Sequence, residues 1–186
     1  MAGDVRPSGG GEPEPARTMD RLWAGWRSGY VAAAGNGALV GEGSVFRHIL
    51  DSGLPDEETH VVWRGEQTFV ILNAFPYTCG HVLVMPYREV GELEELTPQE
   101  ASEMWAAVHD AVAALKAAYR PQGVNVGLNL GEAAGAGVPS HLHVHVLPRW
   151  NADSNFMTSV AETRVLPESL DETWAKLRAA WPTPDA

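Results

Sequence analysis

His141-Leu142-His143-Val144-His145-Val146-Leu147 is the stretch on which the rest of the chain turns. In an extended strand successive side chains point to opposite faces, so three imidazoles share one face and Leu142, Val144 and Val146 share the other. The apolar set demands a core to pack against, and the imidazole set points to a cleft. Three uses of aligned histidines compete. A purely structural one is poor, because a buried imidazole needs polar partners. A metal site is a serious rival, since alternate histidines on one strand can both reach a zinc ion. The third is a nucleophilic imidazole with its neighbours as hydrogen-bonding and acid–base partners.

The residues just upstream weigh between these. Gly131 to Gly137 (GEAAGAG) is a loop of small residues, whose backbone N–H groups can approach an anion closely. Neither a carboxylate nor a thiolate lies within the histidine strand to complete a metal shell. A phosphorus-directed nucleophile beside an anion-holding loop is the better reading. Arg149 and Trp150 follow the strand directly and suggest a cation for phosphate and a ring for base stacking, although a tryptophan there could equally pack a loop.

Further out, His60–Trp63, Thr68–Leu72, His81–Met85 and Val124–Leu130 read as strands, with Arg64-Gly65-Glu66 as a turn. A short helix is expected over Gly43–Leu50. Thr97 to Tyr119 reads as the longest helix: Thr97 caps it, Pro98 suits its first position, and Glu100 completes a capping box. Ala101, Met104, Trp105, Val108, Val112 and Leu115 supply its apolar stripe. Ser169–Trp181 reads as a C-terminal helix. The pattern is α+β: an antiparallel sheet with one long helix packed on it and a C-terminal helix. His109, beside that stripe, is expected to have a structural or solvent role rather than a functional one, and Cys79 to be a small packing residue.

Composition sets the outer limits. The chain has 186 residues, 45% of them hydrophobic, which suits one folded domain over 19–181 between a Gly/Pro-rich tail at 1–18 and a short tail at 182–186. Leu22, Trp23, Trp26 and Tyr30 read as an arm at near-helical spacing, packed on the body or on a second subunit. A single cysteine excludes an internal disulfide or a multi-thiolate metal site. A formal charge of −11 disfavours broad binding to nucleic-acid backbone. With neither a long apolar run nor a signal-like N-terminus, no membrane association and a cytoplasmic location are expected.

The motif, together with Gly80-His81-Val82-Leu83-Val84-Met85-Pro86, resembles the histidine triad family, from about Trp23 to Trp181. Leu22–Arg27, Ala134–Gly137, Pro148-Arg149-Trp150 and Asn155-Phe156-Met157 are similar to bacterial diadenosine tetraphosphate phosphorylases and to the fragile histidine triad hydrolases. The resemblance implies the family fold and a nucleotidyl hydrolase or transferase that cleaves dinucleoside polyphosphates through a nucleotidyl-histidine. A nucleoside phosphoramidase and a nucleotide-binding protein without turnover are the alternatives. It makes His143 the nucleophile, His145 a phosphate or bridging-oxygen contact, His141 an organiser and His81 a supporting fourth histidine. Asn73 would bind ribose, Asn129 phosphate, and the Ala136 and Gly137 backbone N–H groups phosphate oxygens. Many relatives carry Cys-x-x-Cys where this chain has Gly43–Arg47, so no structural zinc is expected; nor is any other cofactor, although a divalent cation can accompany the substrate. Phosphorylase relatives often carry serine at Gly137. A homodimer is the expected assembly.

Overall fold

Runs of β-branched residues, interrupted by turns that cannot continue a strand, build a five-stranded sheet. Its strands are β2 (Val61–Arg64), β3 (Thr68–Leu72), β4 (Val82–Pro86), β5 (Gly123–Leu128) and β6 (Val144–Arg149). The order is β2-β3-β4-β6-β5 and every pair is antiparallel. This computed structural model describes residues 21–22, 43–151, 153 and 164–183. The tail at 1–18, Trp23, Trp26 and Tyr30 of the aromatic arm, and Asn155-Phe156-Met157 lie outside them. Arg21–Leu22 (β1), at the start of that arm, pairs in parallel with Arg164–Val165 (β7).

Four helices complete the described fold: α1 (Val45–Asp51), the single turn α2 (Asp56–Thr59), α3 (Pro98–Tyr119) and α4 (Leu170–Ala180). Thr97 Oγ1 accepts the Glu100 N–H at 3.2 Å, and the Glu100 carboxylate accepts the Thr97 N–H at 2.8 Å. Arg88 grips the same carboxylate at 2.7 and 2.9 Å, which holds the Glu100 pKa down at about 2 and lets a buried acid begin the helix as an anion. α3 lies on one face of the sheet. Met104, Val108, Ala111 and Leu115 pack there against Val82, Val84, Val144 and Val146. Trp105 does not join them as expected and is 47% exposed, because one helical step of about 100° carries it off the stripe that Met104 occupies.

The opposite face carries a second apolar cluster: Phe46 from α1, with Val61, Phe69, Ile71, Leu83 and Met85. Both faces are therefore apolar at the centre, and β3 and β4 are buried along their whole length. On this second face the pairing sets Ile71 beside Leu83 and Leu83 beside His145, a row across three strands. The last strand begins at Val144 rather than His141, so His141–His143 precede the hydrogen-bonded ladder. Gly80 enters β4 at φ +83°, and a Cβ there would come within 2.9 Å of Leu115 and 3.0 Å of Tyr119, so only glycine lets the chain cross the end of α3 and deliver His81.

The capping box gives a direct check on this scheme. Thr97→Ala should lower the free energy of unfolding by about 1 kcal/mol in urea denaturation, the usual loss for an N-cap hydroxyl. A change indistinguishable from zero would show that Arg88 and Glu100 anchor the helix start without it.

Candidate active site

Two of the three strand histidines look into a cleft of about 990 Å³. His143 and His145 line it, with ring centroids 5.0 Å apart and planes at 70°. Val45, Phe46 and Ile49 of α1 form one wall, Ile71 and Leu83 of the sheet line it, and Asn73, Phe75 and Tyr77 stand along another side. Gly135, Gly137 and Val138 bring in the small-residue loop. His60 and Asp171 also line the cleft, joined at 2.6 Å across 111 positions of sequence.

His141 departs from the simple one-face expectation. Its ring is fully buried, away from the cleft, with Nε2 2.8 Å from the Pro86 carbonyl and Nδ1 2.6 Å from Ser44 Oγ. The ladder has not yet begun at this residue, so the pleat does not dictate where the side chain points.

Hydrogen-bond partners fix the ring protons. A carbonyl oxygen only accepts, so the His143 Nδ1–H donates to the His141 carbonyl at 2.8 Å. In the neutral ring the lone pair then sits on Nε2. His81 works by the same logic. Its Nδ1 accepts the Tyr77 N–H at 3.1 Å, so its Nε2–H donates to His145 Nδ1 at 3.0 Å. His145 consequently carries its own proton on Nε2. His143 thus presents a bare nitrogen and His145, two residues on, an N–H donor. Tyr77 stacks on the His145 ring at 5.9 Å and 19°, holding its plane.

Burial favours the neutral form of His141, His143 and His145. Desolvation pushes His143 and His141 below the ordinary histidine range, and desolvation with the neighbouring His143 takes His145 down to about 4. Cys79 is raised by burial and stays a thiol. His109 is exposed beside Asp110, as expected.

Several expected contacts fall elsewhere. Asn73 lines the cleft beside His81, its Oδ1 accepting the Phe75 N–H at 2.9 Å. Asn129 instead braces the loop, donating to the Gly135 carbonyl at 3.3 Å. The Ala136 N–H is bonded to the Gly131 carbonyl at 3.2 Å, so it is not offered to a phosphate; Gly137 does reach the cleft. The Arg149 guanidinium is paired with Asp153 at 2.6 and 2.7 Å and with Asn125 at 2.8 Å. Trp150 packs edge-on to Tyr119 at 6.3 Å, the loop-packing alternative. Neither of these two lines the cleft.

Ser44, Tyr77 and the apolar wall of α1 were not singled out in the sequence. Phe75 and Tyr77, aromatic residues just ahead of the Gly-His motif, were the available signal for one of them. Where two thiolates would complete a zinc site, the chain has the Ser44 hydroxyl on His141 and the Arg47 guanidinium on Asp51 at 2.8 Å. That donor set does not fit zinc. Among the described residues no group of three or more His, Cys, Asp or Glu is placed to hold a metal ion. No described helix is long and apolar enough to cross a membrane.

The chain is similar to several known proteins. The family model described as HIT domain matches residues 55–152. A Mycobacterium tuberculosis protein named AP-4-A phosphorylase is 41% identical over 167 residues, covering 88% of this chain and 85% of its own. The bis(5'-nucleosyl)-tetraphosphatase [asymmetrical] of Schizosaccharomyces pombe is 35% identical over 95 residues, 51% of this chain and 52% of that one. Among solved structures, a zinc-bound histidine triad family protein from Mycobacterium smegmatis matches with a TM-score of 0.59 and 30% identity, over 73% of this chain and 91% of that one.

The buried rings imply a pH window. In the unfolded chain histidine titrates near pH ~6.5, above the folded values, so between those limits the unfolded chain binds more protons. Stability should therefore hold above pH ~6.5 and fall as pH drops toward about 4, the folded value of His145. Urea midpoints at pH 7 and pH 5 check this, and equal midpoints would show that the rings are not held neutral.

Proposed function

The chain belongs to the histidine triad family, and from that premise we propose that it cleaves dinucleoside polyphosphates of the diadenosine tetraphosphate kind, with His143 as the attacking group. It is an enzyme, a histidine-triad nucleotide hydrolase or phosphorylase, in line with relatives named phosphorylase, tetraphosphatase and triphosphatase. The observation that carries the finer reading is the hydrogen bond from His143 Nδ1–H to the His141 carbonyl, which leaves Nε2 bare at the cleft.

In the proposed first step the Nε2 lone pair attacks the phosphorus of one nucleotidyl group. A nitrogen–phosphorus bond forms, the bond from phosphorus to the bridging oxygen breaks, and the remainder leaves as a nucleoside polyphosphate. The His145 Nε2–H hydrogen-bonds to that departing oxygen. His143 is then a cationic ring with phosphorus on Nε2 and its proton still on Nδ1. In the second step water or inorganic phosphate attacks the phosphorus, the nitrogen–phosphorus bond breaks, and the lone pair returns to Nε2. When water attacks, its surplus proton goes to solvent. Dividing one displacement into two is the gain from covalent catalysis.

The walls suit the rest of the substrate. Val45, Phe46, Ile49 and Ile71 offer an apolar slot for a base, and Asn73, which lines the same cleft, is the proposed ribose contact. Gly137, without a hydroxyl, leaves the choice of second acceptor to the remaining loop. We read the protein as a cytoplasmic homodimer in which any divalent cation arrives with the polyphosphate.

Two measurements test this. Incubation with diadenosine tetraphosphate should give ATP plus AMP if water is the acceptor, or ATP plus ADP, only with added phosphate, if phosphate is. No turnover under either condition would end the substrate assignment. His143→Ala should lower kcat by about 10⁴-fold or more, as loss of a covalent nucleophile does, while AMP binding stays within a few-fold. Wild-type turnover in that variant would remove His143 from its role.

A further inference from the structure

The nucleophile's orientation rests on a carbonyl, and something must hold that carbonyl. His141 lies before the first residue of β6, so the sheet ladder does not fix it. Its backbone is tied by its own N–H to the Val138 carbonyl at 3.2 Å and, one residue on, by the Leu142 N–H to the Val90 carbonyl at 2.6 Å. A further restraint is the ring itself, pinned at both nitrogens. Since Nε2–H donates to Pro86, Nδ1 must accept, and the Ser44 hydroxyl donates its one proton to it at 2.6 Å. The same oxygen accepts the Arg47 N–H at 3.3 Å.

Ser44 is itself held in place. The Glu89 carboxylate accepts the Ser44 backbone N–H at 2.8 Å through one oxygen and the Ser140 hydroxyl at 2.9 Å through the other. It brackets the start of α1 to the residue just ahead of His141. Ser44 is 5% exposed and His141 0%, so a polar pair is buried with every ring nitrogen satisfied. A buried donor and acceptor matched in this way resist rearrangement, because breaking either bond leaves an unsatisfied group away from water.

We propose that Ser44, bracketed by Glu89, is a positioning residue for the histidine chemistry: its hydroxyl pins the His141 ring and so aims the carbonyl that orients the His143 nucleophile. Ser44 also caps α1, and the two roles are separable by substitution. Ser44→Gly keeps an acceptable N-cap but deletes the donor to His141. Ser44→Thr keeps both.

The inference rests on the proposed role of His143, and its test is built to fail separately. In wild-type protein labelled with ¹⁵N-histidine, the ring spectra should show His143 protonated at Nδ1 and His141 at Nε2, whatever the substrate proves to be. Ser44→Gly should lose the single Nδ1–H form of His143. Its kcat on diadenosine tetraphosphate should fall about 10- to 100-fold, the scale of a small misplacement of a reacting group, with KM within about threefold. Ser44→Thr should restore both readouts. An unchanged kcat and His143 tautomer in Ser44→Gly overturns the proposal, as does a fall in kcat that threonine fails to restore. If Ser44→Gly does not fold, Glu89→Ala loosens the bracket while Glu89→Gln preserves it, and equal kcat for that pair overturns the proposal. Absence of turnover in wild type would instead sink the function, leaving the tautomer measurement to judge the positioning role.

Discussion

A single hydrogen bond, from His143 Nδ1–H to the carbonyl of the residue two positions back, decides what this site can do. Neutral imidazole has one proton and two nitrogens, and either nitrogen can carry it. A carbonyl facing Nδ1 takes the proton there and leaves the lone pair on Nε2. A water or a hydroxyl in the same place would tolerate either form, because both can donate as well as accept. The backbone partner is what makes the choice one-sided, and it cannot be removed by a side-chain substitution at that residue.

The rest of the fold can be understood as what that bond requires. A strand carrying imidazoles toward a cleft must bury its other side, and Val144 and Val146 do so against α3. On the cleft side the row Ile71, Leu83, His145 surrounds the histidines with carbon rather than water. Low exposure then disfavours the charged rings, which keeps the lone pair available near neutral pH. The apolar packing and the proposed chemistry are thus one constraint, since a wetter cleft would raise the histidine pKa values and protonate His143 more readily.

Much of the scaffold was legible in the sequence because its signals are local. The Thr97-Pro98-Glu100 capping box, the Ser169 cap and the β-branched runs each lie within a few residues of what they specify, and the five strands of the sheet with α1, α3 and α4 fall within three residues of their expected bounds, whereas α2, β1 and β7 were not expected. The site was legible only in part, because its partners are distant in sequence. Ser44 meets His141 across 97 positions, and His81 meets His145 across 64. The expectation that all three histidines share the cleft failed where the strand period no longer applied, ahead of Val144. Arg149 has the right charge for a phosphate, yet Asp153 and Asn125 take up its donors. A nearby counter-charge four residues on is readable in a sequence, but whether it wins the guanidinium is settled only by the fold. The Ala136 N–H met the same fate in its loop turn.

Charge within the histidine cluster sets a last condition on the proposed chemistry. The chain is acidic overall, with a formal charge of −11, and its substrate would be an anion as well. An obvious remedy would be to protonate the histidines, but His143 and His145 stand 5.0 Å apart, and a charge on one opposes a charge on the other. The pair therefore accommodates one positive ring at most. In the proposed intermediate that charge belongs to His143, once phosphorus occupies Nε2 and the proton remains on Nδ1. The His141 carbonyl lies against that proton and is the group best placed to stabilise the cation as it forms. His145 must stay neutral at that moment, and its remaining way to assist is to donate its Nε2–H without giving it up. Keeping the neighbouring rings uncharged at rest thus reserves the site's capacity for positive charge until the bond to phosphorus is made.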